Sequence, residues 1–221
     1  MADLLRMPPS EEGSVAYETS LGQLRRGLIA GGLIAFPTDT VWGLAALAER
    51  SYAVRRIFEL KSRDESQALP LFERNVESVR RWVEDWPQEY ERLARAYWPG
   101  PLTLVCRPRA GKLAAVASPD GTVAFRVPGG RLLEQLLRTL DRPLACTSAN
   151  RSGEPPLPSA TAVLEALGHG LLYVVDTGET GGGQPSTVVA MRQGTLEIVR
   201  AGAVAPDAIE RTASLDLPGG V

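Results

Sequence analysis

The chain has 221 residues, of which 44% are hydrophobic and 23% are charged, a composition that is ordinary for a globular protein with a sizeable core. The formal net charge of −2 excludes a broadly basic surface that would attract nucleic acid or membrane, so any anion site must be local. No run approaches the roughly 20 apolar residues of a membrane span, and the stretch after Arg25-Arg26 lacks the cleavage site of an export signal, so we expect a cytoplasmic protein.

We expect residues 1–13 to form a flexible N-terminal arm. After this arm, helical and strand patterns alternate along the chain. One domain is predicted over 14–214, followed by a C-terminal tail at 215–221. Apolar periodicity and breaker residues predict helices over 19–30, 51–61, 75–85, 88–97, 130–140, 159–167 and 206–213. Strands are predicted at 33–36, 68–72, 101–106, 122–127, 143–147, 171–175, 186–191 and 195–200. Because helices and strands interleave, the predicted fold class is α/β with a mixed sheet.

The sequence offers little for metal or histidine chemistry. Cys106 and Cys146 form no CxxC pair, and two buried thiols in a reducing compartment are favoured, with a disulfide left open. His169, the single histidine, follows a predicted helix and suits a capping role. Neither a zinc site nor a Ser–His or Cys–His catalytic unit is supported, and no residue is assigned as a metal ligand.

Lysine and asparagine are unusually rare in this chain. Of 24 cationic residues, two are lysines, Lys61 and Lys112, and the two asparagines are Asn75 and Asn150. Asn75 suits the N-cap of the next predicted helix, and Lys112 lies in a loop bounded by Gly and Pro. Lys61 and Arg63, in "LKSRDESQALPLF", either interact with a helix dipole or bind a polyphosphate. The rarity of lysine favours the polyphosphate interpretation.

Two apolar strands end in clusters of small polar side chains. "FPTDT" contains Thr38, and "PLACTSANRSG" contains Ser148 and Asn150. Each could be a plain turn, yet loops at strand ends are where α/β sheets bind ligands. Arg126 lies inside the strand "TVAFRVP", on the face it shares with Thr122. A guanidinium in that position needs an anion, either a distant carboxylate of the chain or a ligand.

Seven motifs occur in one order from about Leu24 to Val204: "PTDTVWGL", "KSR", "WPGPLTLV", "TVAFRVP", "TSANRSG", "STVV" and "VRAGAV". The set closely resembles the YrdC/TsaC-type threonylcarbamoyl-AMP synthases. The resemblance implies a twisted sheet with helices around a concave, positively charged cavity. It implies a nucleotidyltransferase that converts L-threonine, bicarbonate and ATP, with Mg²⁺, into threonylcarbamoyl-AMP and pyrophosphate. A separate tRNA threonylcarbamoyl transferase complex would use this product to modify a tRNA adenosine beside the anticodon.

The resemblance also assigns roles to individual residues, and Lys61 and Arg63 are the catalytic candidates. Threonine binding is expected from Thr38, Arg126, Ser148 and Ser186. ATP binding is expected from Lys61, Arg63, Gln67, Thr122, Asn150 and Arg200.

This chain departs from the family pattern at a few positions. Trp42 stands where a tyrosine is usual, and Phe72 aligns with a histidine that some members use for substrate. Gln67 occupies the polar nucleotide-contact position, and Pro158-Ser159 align near a further ATP contact.

Two functions other than the synthase are compatible with a concave cavity of this kind. A double-stranded-RNA or ribosome-associated protein could use the same concavity, and weak RNA binding is kept as a hypothesis, although the net charge of −2 argues against a broad RNA surface. A paralogue could instead bind nucleotide and make another carbamoyl adenylate.

Overall fold

In the computed structural model, ten strands form one mixed sheet with seven α-helices packed against it, within the described residues 2–64, 67–110, 113–178 and 183–215. The strands are β1 (Asp3–Arg6), β2 (Ile34–Phe36), β3 (Gly43–Leu47), β4 (Leu71–Phe72), β5 (Leu102–Cys106), β6 (Val123–Arg126), β7 (Leu144–Ser148), β8 (Tyr173–Asp176), β9 (Thr187–Arg192) and β10 (Thr195–Arg200). The helices are α1 (Val15–Ile29), α2 (Ser51–Lys61), α3 (Val76–Arg80), α4 (Gln88–Tyr97), α5 (Arg131–Leu140), α6 (Ala160–Leu167) and α7 (Pro206–Ala213).

The strand order across the sheet is β1-β8-β2-β3-β7-β4-β6-β5-β9-β10. The pairs β1/β8, β8/β2, β4/β6 and β5/β9 are parallel, and the other pairs are antiparallel. The predicted α/β class with a mixed sheet is therefore confirmed.

Helices cover the two faces of the sheet unequally. On one face, α1 and α5 bury leucines against β2, β3, β7 and β8. In α5 these leucines recur at helical spacing, which explains why this segment forms an amphipathic helix. On the other face, α2, α4, α6 and α7 pack on a larger core. The half of the first face formed by β6, β5, β9 and β10 carries no helix among the described residues, and a cavity lies there.

Local signals placed most elements correctly. Helices α2, α4 and α7 have the predicted limits, and Asn75 caps α3 as predicted, by accepting a hydrogen bond from the backbone N–H of Ser78 at 2.8 Å. Helix α3 is shorter than predicted and ends at Arg80. Strand β3, a central strand between β2 and β7, was not predicted.

The expectation of a flexible N-terminal arm is wrong for its first part. Residues 3–6 form β1, which pairs in parallel with β8, and the side chain of Met7 is buried against α1 and α5. Most of the predicted tail, 216–221, and Lys112 lie outside the described residues. Within the described part of the chain, no helix has the length and apolar character needed to cross a membrane.

Candidate active site

A cavity of about 380 Å³ opens on the uncovered half of the sheet. Its floor is formed by side chains that alternate with core residues on the same strands, such as Thr103 and Val105 of β5 and Val188 of β9. Thr122, Ala124 and Arg126 project from one face of the β6 region into the cavity, so the predicted shared face of Thr122 and Arg126 is confirmed. The charged residues lining it are Arg63, Arg126, Arg192, Arg200 and Asp120.

Arg126 holds the turn between β2 and β3 in place. Its guanidinium donates to Asp39 Oδ1 at 2.5 Å, to Thr40 Oγ1 at 2.9 Å and to the carbonyl of Gly100 at 2.9 Å. The side chain is 4% exposed, and its Cζ lies 5.4 Å from the ring centroid of Phe72. Asp39 is thus the distant carboxylate that the sequence left open, and Arg126 is a structural ion-pair partner that also lines the cavity.

The same turn explains the polar residues of "PTDT". Thr38 Oγ1 donates to the carbonyl of Val41 at 2.7 Å, accepts from the backbone N–H of Thr40 at 3.1 Å and lies 2.9 Å from Thr40 Oγ1. These contacts fix a hydroxyl-bearing turn after a buried strand. Thr38 and Thr40 both line the cavity wall.

A second hydroxyl pair lies where β5 and β9 begin. The hydroxyls of Thr103 and Ser186 are 2.9 Å apart, and both residues are buried. Arg200 donates to the carbonyl of Ser186 at 2.7 Å and to its hydroxyl at 3.3 Å. The sequence indicated Ser186 and Arg200, whereas Thr103 was missed because it reads as one polar residue within an apolar strand.

Arg63 reaches the cavity from the segment after α2. It donates to Thr147 Oγ1 at 3.1 Å and to the carbonyl of Ala68 at 3.2 Å. Two buried donors on cavity-lining residues have no hydrogen-bond partner among the described residues, namely Arg63 Nε and Trp42 Nε1. Unpaired buried donors are costly in a folded protein, so a cavity with such groups is suited to an acceptor-rich ligand.

Lys61 is buried and is not among the described residues that line the cavity. Its ammonium donates to the carbonyl of Ser148 at 2.5 Å, to the carbonyl of Asn150 and to Asn150 Oδ1 at 3.3 Å. The Asn150 amide in turn donates to the carbonyl of Glu154 at 2.5 Å. Burial lowers the pKa of Lys61 to about 8, and repulsion from Arg63 contributes to this shift.

The basic groups of the site repel one another. Burial lowers the pKa of Arg63, and repulsion from Arg200 lowers it further. Burial likewise lowers the pKa of Arg200, to which Arg126 adds repulsion. For Arg126 burial again lowers the pKa, while the Asp39 carboxylate opposes the shift. Arg126 is thus neutralised by Asp39, whereas Arg63 and Arg200 form no ion pair with a carboxylate among the described residues.

A single carboxylate, Asp120, lies among the described lining residues at the outer rim. Its Oδ1 accepts from the hydroxyl of Ser118, from the backbone N–H of Thr122 at 3.1 Å and from Thr122 Oγ1 at 2.7 Å. These hydrogen bonds lower the pKa of Asp120 to about 2. The predicted site residue Thr122 is therefore oriented by a carboxylate that the sequence reading did not single out.

The structure brings most of the predicted site residues together. Thr38, Arg63, Thr122, Arg126, Ser148, Ser186 and Arg200 line the cavity. Lys61, Gln67 and Asn150 are not among the described lining residues. Gln67 is exposed, in the stretch between α2 and β4. Phe72 lines the cavity in place of the family's histidine, whereas Ser159 caps α6 by accepting from the backbone N–H of Ala162 at 3.2 Å.

Cysteine and metal chemistry can be assessed for the described residues. Cys106 and Cys146 are free and buried, as the sequence favoured, and burial raises the pKa of both thiols. No group of three or more His, Cys, Asp or Glu side chains is arranged to hold a metal ion in the described part of the chain.

Fold and site together define an α/β protein with a ligand cavity in which arginines face hydroxyl-bearing strand ends. The chain belongs to the Sua5/YciO/YrdC family, whose sequence model, described as "Telomere recombination", matches residues 27–202.

The chain is similar to proteins named threonylcarbamoyl-AMP synthase. It is 36% identical to that of Pyrococcus abyssi over 181 residues, which cover 82% of this chain and 53% of the relative. It is 34% identical to that of Bacillus subtilis over 180 residues, which cover 80% of this chain and 52% of the relative. The chain therefore spans about half the length of these two curated relatives.

A solved structure supports the same relationship. The crystal structure of P. abyssi Sua5 complexed with L-threonine matches with a TM-score of 0.86 and 32% identity, covering 97% of this chain and 61% of that chain.

Proposed function

We propose that this protein is an L-threonylcarbamoyladenylate synthase, which makes threonylcarbamoyl-AMP and pyrophosphate from L-threonine, bicarbonate and ATP. The observation that carries the proposal is the set of three arginines, Arg63, Arg126 and Arg200, that line one cavity beside buried hydroxyls, with repulsion between Arg63 and Arg200 and between Arg200 and Arg126. A polyphosphate would relieve that repulsion and would supply acceptors for the unpaired Nε of Arg63. The names of the relatives and the threonine complex of P. abyssi Sua5 support the same substrate pair.

Threonine is proposed to bind at the inner end of the cavity. There the turn with Thr38 and the Thr103–Ser186 hydroxyl pair supply hydrogen-bonding groups. Arg126 provides positive charge for the carboxylate of the amino acid, although three of its N–H groups already serve protein acceptors. ATP is proposed to extend from Arg63 and Arg200 toward Thr122 at the outer rim.

The reaction fits a site without a protein nucleophile. The ammonium group of threonine first loses a proton to solvent, and the resulting amine condenses with bicarbonate to form a carbamate and water. A carbamate oxygen then attacks the α-phosphorus of ATP, a new P–O bond forms, and the bond to pyrophosphate breaks. Such a transfer requires alignment and charge neutralisation, which Arg63 and Arg200 can provide from fixed positions.

Mg²⁺ is proposed to enter with ATP. Asp120 is the one carboxylate among the described lining residues, and the described chain holds no cluster of three acidic, His or Cys ligands. The residues present therefore do not make up a protein metal site, and the ion would be held by phosphate oxygens. We further propose a cytoplasmic location and delivery of the product to a separate tRNA threonylcarbamoyl transferase complex.

The test is release of pyrophosphate from ATP by the purified protein. We expect release to require threonine and bicarbonate together. A matched substrate control is 2-aminobutyrate, which has the carbon skeleton of threonine without its hydroxyl. A site that hydrogen-bonds this hydroxyl should discriminate by about 10⁴-fold in kcat/KM. Equal release with both amino acids, or with serine and alanine, would refute the assignment of threonine. Release with a different amine would identify a paralogue that makes another carbamoyl adenylate, and RNA binding without release would favour the RNA-binding alternative.

A further inference from the structure

The end of α2 and the segment that follows β7 are joined by a buried set of hydrogen bonds, which we call the Lys61–Asn150 bracket. It consists of the ammonium contacts of Lys61 to the carbonyls of Ser148 and Asn150 and to Asn150 Oδ1. The Asn150 amide extends it to the carbonyl of Glu154, and the backbone N–H of Ser152 donates to the carbonyl of Lys61 at 3.1 Å. Both ends of Lys61, side chain and main chain, thus bind the same segment.

The bracket lies behind the cavity wall. Lys61 is 2% exposed, is not among the described residues that line the cavity, and has no carboxylate partner among the described residues. Its neighbours in sequence on both segments do reach the cavity, namely Arg63 after α2 and Thr147 and Ser148 at the end of β7. Arg63 also donates to Thr147 Oγ1 at 3.1 Å, so the two segments meet again at the cavity surface.

We propose that Lys61 is a positioning residue that fixes the cavity groups of Arg63 and Ser148 relative to each other and does not bind ATP itself. This proposal rests on the proposed function, because it concerns the same cavity. It replaces the expectation that Lys61 contacts phosphate with a role in holding the two segments that contribute the contacting groups.

The geometry explains why a lysine is kept in a chain that otherwise uses arginine. An ammonium is a compact donor of three hydrogen bonds, and here three oxygens converge on one nitrogen. A planar guanidinium spreads its donors over a wider fork and cannot place them all at that point. Lys61→Arg should therefore move the segment after β7, whereas Lys61→Met keeps the stem length and removes the donors.

The first experiment measures threonine-dependent pyrophosphate release by Lys61→Met and Lys61→Arg. We expect kcat to fall about 10- to 100-fold, as small misplacements do in positioning catalysis, while the KM for ATP changes by less than about 3-fold. The matched control is Arg55→Met, which removes an exposed cation from the same helix. We expect its kcat and KM to equal those of the wild type.

A second variant keeps the test decisive if Lys61→Met fails to fold. Asn150→Ala removes one acceptor of the ammonium and the contact to Glu154, so it should lower kcat in the same way. The double variant Lys61→Met/Asn150→Ala should be no slower than Lys61→Met, because the two residues act as one unit.

A pH profile separates positioning from general loss of structure. Arg63 is the charged group that faces Lys61, and the segment after β7 presents uncharged oxygens of Ser148 and Asn150. The folded pKa of Lys61, about 8, lies below its ordinary value of 10.5. Between these two pKa values Lys61 is largely deprotonated in the folded protein and still protonated in the unfolded chain. Its contribution to the free energy of unfolding therefore increases as pH rises through this range. The ratio of wild-type to Lys61→Met kcat, in which substrate ionisation cancels, should therefore fall toward one above about pH 8 without unfolding.

The outcomes distinguish this inference from the proposed function. Wild-type protein that releases no pyrophosphate with threonine would refute the proposed function. Wild-type activity combined with an unchanged kcat in folded Lys61→Met would refute the positioning role. A KM for ATP that rises as much as kcat falls would also refute it, because that result indicates a direct phosphate contact.

Discussion

Replacing Arg126 with methionine should destabilise the fold as well as the site. The change removes three hydrogen bonds from a guanidinium that is 4% exposed and leaves Asp39, 22% exposed, without its ion-pair partner. Breaking a buried ion pair by removing one partner costs about 3–5 kcal/mol. Since Asp39 retains some contact with water, the lower end of that range, about 3 kcal/mol, is expected.

The measurements are urea denaturation and thermal denaturation of the wild type, Arg126→Met, Asp39→Asn and the double variant. A loss of 3 kcal/mol corresponds to a fall in Tm of roughly 6–12 °C for a domain of this size. The double variant should recover part of the loss, because it no longer holds an unpaired carboxylate, and the coupling energy should lie within about 0.5–3 kcal/mol.

An exposed ion pair supplies the control. Arg192 and Glu197 are 3.1 Å apart with side chains 62% and 54% exposed, so removing either should change stability by less than about 1 kcal/mol. If Arg126→Met costs no more than Arg192→Met, the structural role given to Arg126 is wrong. A folded Arg126→Met of normal stability that has lost threonine-dependent activity would show that Arg126 serves the substrate alone.

Two further substitutions test the core behind the site and one segment of the site. Tyr90→Phe removes the hydroxyl that donates to the carbonyl of Val105 in β5 and accepts from the backbone N–H of Met191 in β9, and it should cost about 1–3 kcal/mol in urea denaturation; a loss below about 0.5 kcal/mol would contradict this. Gly202→Ala would place its Cβ 2.3 Å from the carbonyl oxygen of Pro185 and 2.5 Å from the carbonyl carbon of Ser186. The resulting shift of Ser186 should raise the KM for threonine more than that for ATP, and an unchanged KM for threonine would show that this segment has room to adapt.

Local patterns predicted the helices better than the strands because helix signals are contained within one segment. The leucine spacing of 130–140 and the asparagine cap at Asn75 are both readable from neighbouring residues. Strand β3 consists of Gly, Leu and Ala residues with weak strand preference, and its state is decided by pairing with β2 and β7. Strand β1 is likewise set by a partner near Tyr173, far along the chain.

In the candidate site, too, local patterns were predictable from the sequence, whereas contacts between distant residues were not. General rules for α/β sheets predicted a site at the polar strand ends, and most of the residues that the resemblance assigned do line the cavity. The sequence could not reveal that Arg126 pairs with Asp39, which lies 87 positions away, or that Lys61 turns toward Asn150, 89 positions away. For both side chains an anionic ligand was one of two interpretations that the sequence allowed, and in the structure both contact oxygen acceptors of the fold.

The folded protein thus satisfies its most deeply buried cations, Lys61 and Arg126, with its own oxygens and leaves Arg63 and Arg200 with fewer partners. Burial lowers the pKa values of Lys61, Arg63 and Arg200, and repulsion adds to each shift, from Arg63 on Lys61, from Arg200 on Arg63 and from Arg126 on Arg200. A chain optimised for stability alone would insert carboxylates among these groups. The scarcity of carboxylates among the described lining residues leaves this repulsion uncompensated, which supports the proposal that the cavity takes an anionic substrate.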